Sequence, residues 1–181
     1  MRKYFLLCIV FISITNSYSQ KTKTVKGSVI TNFGATYNIE NPDLLLKTDT
    51  KYKVIFDVYS DGKNKEKINS SINTVARFLN MHEQNGTKPE NLEVVLVLHG
   101  AATKNALSNT AFKNKFKSNN PNSVLIKALK NAHVKVYVCG QSFIHSGYSK
   151  KDLSKNVKLS LSALTSLVYY QTEGYQLITF N

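Results

Sequence analysis

The 181-residue sequence has only two cysteines, Cys8 and Cys139, and only 11 acidic side chains against 24 basic ones. Two cysteines cannot build a multi-bridge disulfide scaffold or a four-cysteine zinc site. The shortage of acid leaves a formal net charge of +13, which admits an acidic partner without demanding one. No stretch approaches the roughly 20 apolar residues that a membrane-spanning helix needs. Charged residues make up 19% of the chain, too few for a highly charged coiled coil. Apolar residues make up 42%, too many for a disordered tail. The length suits one domain with a core large enough to fold alone.

Several catalytic signatures are missing too. There is no GxGxxG and no GxxxxGK[ST], so nucleotide binding has no motif behind it. There is no GxSxG of the kind an α/β-hydrolase uses. His82, His99, His133 and His145 are scattered, with no HxH or HExxH, and nothing has metal-ligand spacing. Neither a metal nor a cofactor is expected.

What is present begins with a leader. Residues 1–19 read MRKYFLLCIVFISITNSYS. Arg2 and Lys3 form a positive start, Tyr4 to Ile14 an apolar stretch, and Ser17 and Ser19 put small residues before Gln20. That is the pattern of a secretory signal cleaved before Gln20, so an exported, periplasmic or cell-envelope protein is expected. The bulky Phe5, Leu6 and Leu7 ahead of Cys8 argue against a lipidated cysteine. Cleavage removes Arg2, Lys3 and Cys8, taking the charge from +13 to +11 and leaving one cysteine, Cys139. One cysteine permits no disulfide within the chain. In an oxidising compartment it is either buried and inert or kept for its chemistry.

Residues 20–50 read as an extension with short strands at Val29-Ile30 and Tyr37–Ile39, and residues 51–181 as a single α/β domain. Near-continuous apolar runs fit strands buried on both faces, at Val54–Tyr59, Leu92–Leu98, Val134–Val138 and Tyr175–Phe180. Helical spacing links Ile68, Ile72, Val75, Ala76 and Leu79, predicting a helix over 64–84. Further helices are expected around Leu107, Ala111, Phe112 and Phe116, and around Val124, Leu125, Ala128 and Leu129. A last helix is expected to carry Val157, Leu161, Leu164 and Val168 up to Gly174. Strands separated by helical crossovers give a mostly parallel sheet with helices on both faces, a three-layer α/β/α sandwich. Lys113, Lys115 and Lys117 alternate with Phe112 and Phe116, but at helical spacing this is an ordinary amphipathic face, and no nucleic acid partner is expected.

In open α/β sheets, ligands bind beyond the carboxyl ends of the strands. Three strands end there in polar or reactive residues followed by glycine: Ser60-Asp61-Gly62, His99-Gly100 and Cys139-Gly140. Glycine allows a sharp turn and a close ligand approach. Cys139 would also stand at the start of the helical segment Gln141–His145, where backbone N–H groups favour a thiolate. The plainer alternatives are a buried apolar cysteine and a structural histidine.

These elements resemble, in order and spacing, the DsrE/DsrF-like superfamily of sulfur-relay proteins. The resemblance lies in KYKVIFDVYSDG, in EVVLVLHG, in LIKALKNAHVKVYVCGQS over Leu125–Ser142, and in the tail LTSLVYYQTEGYQLITF. Together they span about residues 50–181. The leader GSVITNFGATYNIENPD is similar to that of the exported branch. The resemblance implies a compact α/β sandwich assembling into trimers or hexamers. It implies that Cys139 accepts a persulfide sulfur and passes it to a thiol on another protein. Gly140, Gln141 and Ser142 would then stabilise the sulfur anion, and His99 would orient or deprotonate the thiol. Two other functions fit the same residues. One is an envelope module that binds a small ligand or a partner at the strand-end pocket, with Cys139 incidental. The other is a Cys–His hydrolase pairing Cys139 with His99 or His145.

Overall fold

The computed structural model describes residues 23–61 and 67–180. The expected leader at 1–19, Cys8 and Gly62 lie outside the described residues. Five strands form one sheet: β1 (Tyr52–Val58), β2 (Leu92–Leu98), β3 (Lys135–Cys139), β4 (Lys158–Ser160) and β5 (Gln176–Thr179). Their order is β4-β3-β2-β1-β5, and every pairing is parallel. Five α-helices accompany them: α1 (Ser70–Gln84), α2 (Asn109–Phe116), α3 (Ser123–Asn131), α4 (Gly140–His145) and α5 (Ala163–Thr172).

Period-2 alternation splits the central strands between two cores. On one face Phe56, Val58, Leu96, Leu98, Val136 and Val138 meet Ile72, Val75 and Leu79 of α1 and Leu125 and Leu129 of α3. On the other face Ile55, Val95, Val97 and Cys139 meet Ala163 and Tyr170 of α5. Covering both faces is what makes the strands read as near-continuous apolar runs. The architecture is the three-layer α/β sandwich expected, with a sheet that is wholly parallel.

Four elements differ from the sequence reading. The first helix starts at Ser70, because the Asn69 side chain accepts from the N–H groups of Ser71 and Ile72 and caps it. Residues 64–66 are outside the described set, and Ile68 lies before the cap, 40% exposed. After β2 the chain makes a buried run of 3₁₀ turns over Gly100–Ala106, which no periodicity announced. Val29 and Ile30 lie in a bend, and Tyr37–Ile39 is irregular; a single antiparallel bridge, Val25 with Thr36, stands in their place. The last helix does not begin at Val157: Lys158–Ser160 is instead the edge strand β4, and α5 starts at Ala163 under a Ser162 cap. The consequence is large. Of the four residues expected on one helix, Val157 is buried in the main core, whereas Leu161, Leu164 and Val168 are 72%, 77% and 62% exposed and point outward.

The segment before β1 is tied to α1 by several side chains, Asn73, Arg77, Glu83 and Gln84 among them, and most fully by Asn80. Asn80, fully buried, accepts from Ile30 N–H and donates to the carbonyls of Ile30, Phe33 and Gly34. Ile30 thereby enters the main core.

Candidate functional site

The parallel sheet carries the ends of β1, β2 and β3 to one edge, as the strand-end argument requires. One residue past the last paired positions, Leu98 and Val138, stand His99 and Cys139 on neighbouring strands. By alternation both belong to the α5 face.

Cys139 is buried and is also the N-cap of α4, its sulfur accepting from Ser142 N–H at 3.4 Å. Burial alone pushes the thiol pKa up. The Ser142 hydroxyl and the N–H groups of Ser142, Ala163 and Gln141 outweigh it and hold the thiol below its ordinary value. Three of these groups belong to α4 and one N–H to the start of α5. The remainder of this face is aromatic: Tyr170 and Tyr175 are buried in the same cluster, with Tyr137 partly buried against it. Burial and a hydrogen bond to Glu93 push Tyr175 up to about 12, and burial raises Tyr170 further, so both phenols are neutral near pH 7.

The other expected residues fall into two groups. Gly100 joins the site: its N–H donates to Ser142 Oγ at 3.3 Å, and that hydroxyl in turn bonds the sulfur. Gly100 has φ +52°, and a Cβ there would sit 2.2 Å from the Tyr59 ring, so glycine is favoured on both counts. His99 is set against Asp57, with Nε2 2.6 Å from Oδ1. Gln141 is exposed and contributes only its backbone. His145 is exposed at the far end of α4.

Asp61 belongs to a separate network. Its carboxylate lies 2.5 Å from Lys104 Nζ and accepts from Asn105. Asn105 accepts from Asn122, Asn122 accepts from Asn69 N–H, and Asn69 donates to Ser60 O. This buried chain fastens the turn after β1 to the start of α1. Among the described residues no hydrogen bond joins Asp61 to Cys139, His99 or Ser142.

Sequence reasoning passed over Asp57 and Ala163. Asp57 sat within an apolar run, where an acid needs a partner, and that was the available signal. Ala163 acts through its backbone N–H and leaves no trace in residue type.

Gly140 is the contact that sets the fit. A Cβ there would lie 2.5 Å from Ser160 O and 3.1 Å from Leu161 O, both main-chain atoms. Gly140→Ala is expected to cost about 1–3 kcal/mol and to slow alkylation of Cys139, by driving residues 160–163 and the Ala163 N–H away from the sulfur. Urea unfolding and thiol-alkylation rates check this. A stability change within about 0.5 kcal/mol, the scale of an ordinary surface substitution, would remove the argument.

Among the described residues no group of three or more His, Cys, Asp or Glu could hold a metal ion, and no helix is long and apolar enough to cross a membrane.

A parallel α/β sandwich with a hydrogen-bonded thiol at its carboxyl edge is the class that fold and site define. The model of the DsrE/DsrF-like family matches residues 53–180, and the chain belongs to that family. Two solved structures are similar in fold. A protein of unknown function from Methanobacterium thermoautotrophicum, MTH1491, superposes with a TM-score of 0.54 at 20% identity, covering 71% of this chain and 99% of its own. The ychN protein from E. coli gives 0.53 at 19% identity, with the same coverage. No curated protein matches the sequence significantly.

Proposed function

We propose that the protein is an exported persulfide carrier in which Cys139 accepts and passes on a single sulfur. The observation that carries this reading is the place of Cys139 as N-cap of α4 at the sheet edge, its sulfur accepting from Ser142 N–H at 3.4 Å, with the Ser142 hydroxyl and the N–H groups of Ser142, Ala163 and Gln141 holding the thiol below its ordinary value. Such a setting stabilises negative charge on sulfur, which both the attacking thiolate and the persulfide anion need. In the reaction the Cys139 thiolate attacks the outer sulfur of a persulfide or polysulfide. A new S–S bond forms, the donor's S–S bond breaks, and the donor leaves as a thiolate. The reverse step delivers the sulfur to a thiol on another protein, since a mature chain with one cysteine has no second thiol of its own.

Export rests on the leader at 1–19, and assembly on the exposed Leu161, Leu164 and Val168, which suit contact with further copies of the chain in a trimer or hexamer.

Mass spectrometry tests all three parts. The chain recovered from the cell envelope is expected to begin at Gln20, and its native mass to be that of a trimer or hexamer. Exposure to inorganic polysulfide is expected to add one sulfur atom, and Cys139→Ser to add none. An uncleaved chain removes export, a monomer removes assembly, and wild type without an adduct removes the carrier. That last outcome leaves a binding module at the same edge, with Cys139 as packing.

A further inference from the structure

The carrier reading leaves one group at this edge without a task, the Asp57–His99 pair. Asp57 follows Ile55 on β1, and His99 follows Val95 and Val97 on β2, so alternation puts both on the face of Cys139. Nε2 of His99 lies 2.6 Å from Asp57 Oδ1, and the two side chains are only 22% and 19% exposed. With its proton on Nε2, facing the carboxylate, the neutral ring would carry its lone pair on Nδ1. Nδ1 takes no hydrogen-bond partner among the described residues.

The surroundings narrow what Nδ1 serves. Tyr59 closes one side of the ring, edge-on with centroids 5.2 Å apart. On β1 the ring meets Asp57, and β5 places the uncharged Thr179 opposite that residue. From α5 the nearest contribution to this edge is Ala163, which has nothing to titrate. On the neighbouring strand β3, Cys139 holds the register position opposite His99, one past the Leu98–Val138 pair. The residue after His99 is already coupled to that sulfur through Gly100 N–H and Ser142 Oγ.

We propose that Asp57 and His99 are the proton-handling pair of Cys139, with Asp57 positioning the imidazole and His99 moving the proton. The proposal rests on Cys139 carrying sulfur. His99 Nδ1 takes the thiol proton. The thiolate then forms its bond to the outer sulfur of R–S–SH, the donor's S–S bond breaks, and its electron pair leaves on R–S⁻. The imidazolium returns the proton to R–S⁻. The sum is Cys–SH plus R–S–SH giving Cys–S–SH plus R–SH, with no outside oxidant or reductant.

The test follows persulfide formation by intact mass, with inorganic polysulfide as donor, from about pH 5 to about pH 9. Asp57→Asn and His99→Gln are each expected to slow transfer about 10²-fold near pH 7 and to approach wild type at high pH, where the thiol ionises unaided. Folded variants that follow the wild-type pH profile would overturn the proposal. A second measurement does not depend on those variants folding. The His99 ring titration, read by NMR, is expected to differ between wild type and Cys139→Ser; superimposable curves would also overturn it. No adduct on wild type at any pH ends the carrier reading, whereas an adduct with unchanged variants ends only the role of the pair.

Discussion

Lys104→Ala is expected to lower the unfolding free energy by about 3–5 kcal/mol, as removal of one partner from a buried ion pair does. Lys104 and Asp61 are each 8% exposed, and their charged atoms are 2.5 Å apart. The lysine also lies over the Phe116 ring, 5.4 Å from its centroid, so truncation removes packing as well as charge. What remains, among the described residues, is a buried carboxylate with one neutral donor, Asn105. Urea unfolding measures the loss. Asp61→Asn combined with Lys104→Met is expected to recover part of it, because neither charge is then buried alone. A loss below about 1 kcal/mol, the value of an exposed pair, would mean that water reaches the carboxylate. Since this network holds the turn after β1 at the edge where Cys139 stands, the same variant reports how firmly that edge is set.

Asn80→Ala is expected to cost about 3–5 kcal/mol, from lost hydrogen bonds and the cavity left behind. The side chain makes four hydrogen bonds to Ile30, Phe33 and Gly34, and nothing else among the described residues offers those buried groups a side-chain partner. Gly27 fits so tightly against it that a Cβ there would sit 1.9 Å from the amide carbon. Thermal unfolding reads the stability, and limited proteolysis reads the place, with new cleavage expected within residues 23–36. If the variant melts within a degree or two of wild type and that segment stays protected, its apolar contacts and its hydrogen bonds to Asn73, Arg77, Glu83 and Gln84 suffice to hold it.

Much of the molecule was legible because burial on both faces leaves a plain record. Leu92–Leu98 was read from a near-continuous apolar run, and β2 occupies those residues. The carboxyl-edge rule put His99 and Cys139 together, and the parallel pairing of β2 with β3 does so. Asp61 followed the same rule, but its carboxylate is taken up by Lys104 and Asn105. The stripe Leu161, Leu164 and Val168 misled for a definite reason. Helical spacing reports that a face is apolar, and says nothing of whether the core or another surface covers it. β4 was missed because three residues are too few to show a period, and only pairing with β3 makes them a strand.

The sequence by itself determined the layered parallel fold, the single thiol beyond residue 19, and the edge of the sheet where that thiol stands. Those follow from apolar runs, crossovers and composition, all local in the chain. Tertiary structure alone decided what surrounds the sulfur. The Ala163 N–H comes from 24 residues further along, and the Asp57 carboxylate that holds His99 comes from a strand 42 residues earlier. Hydrogen bonds and charge act through a few ångströms of space, and only the folded sheet brings such distant residues within that reach.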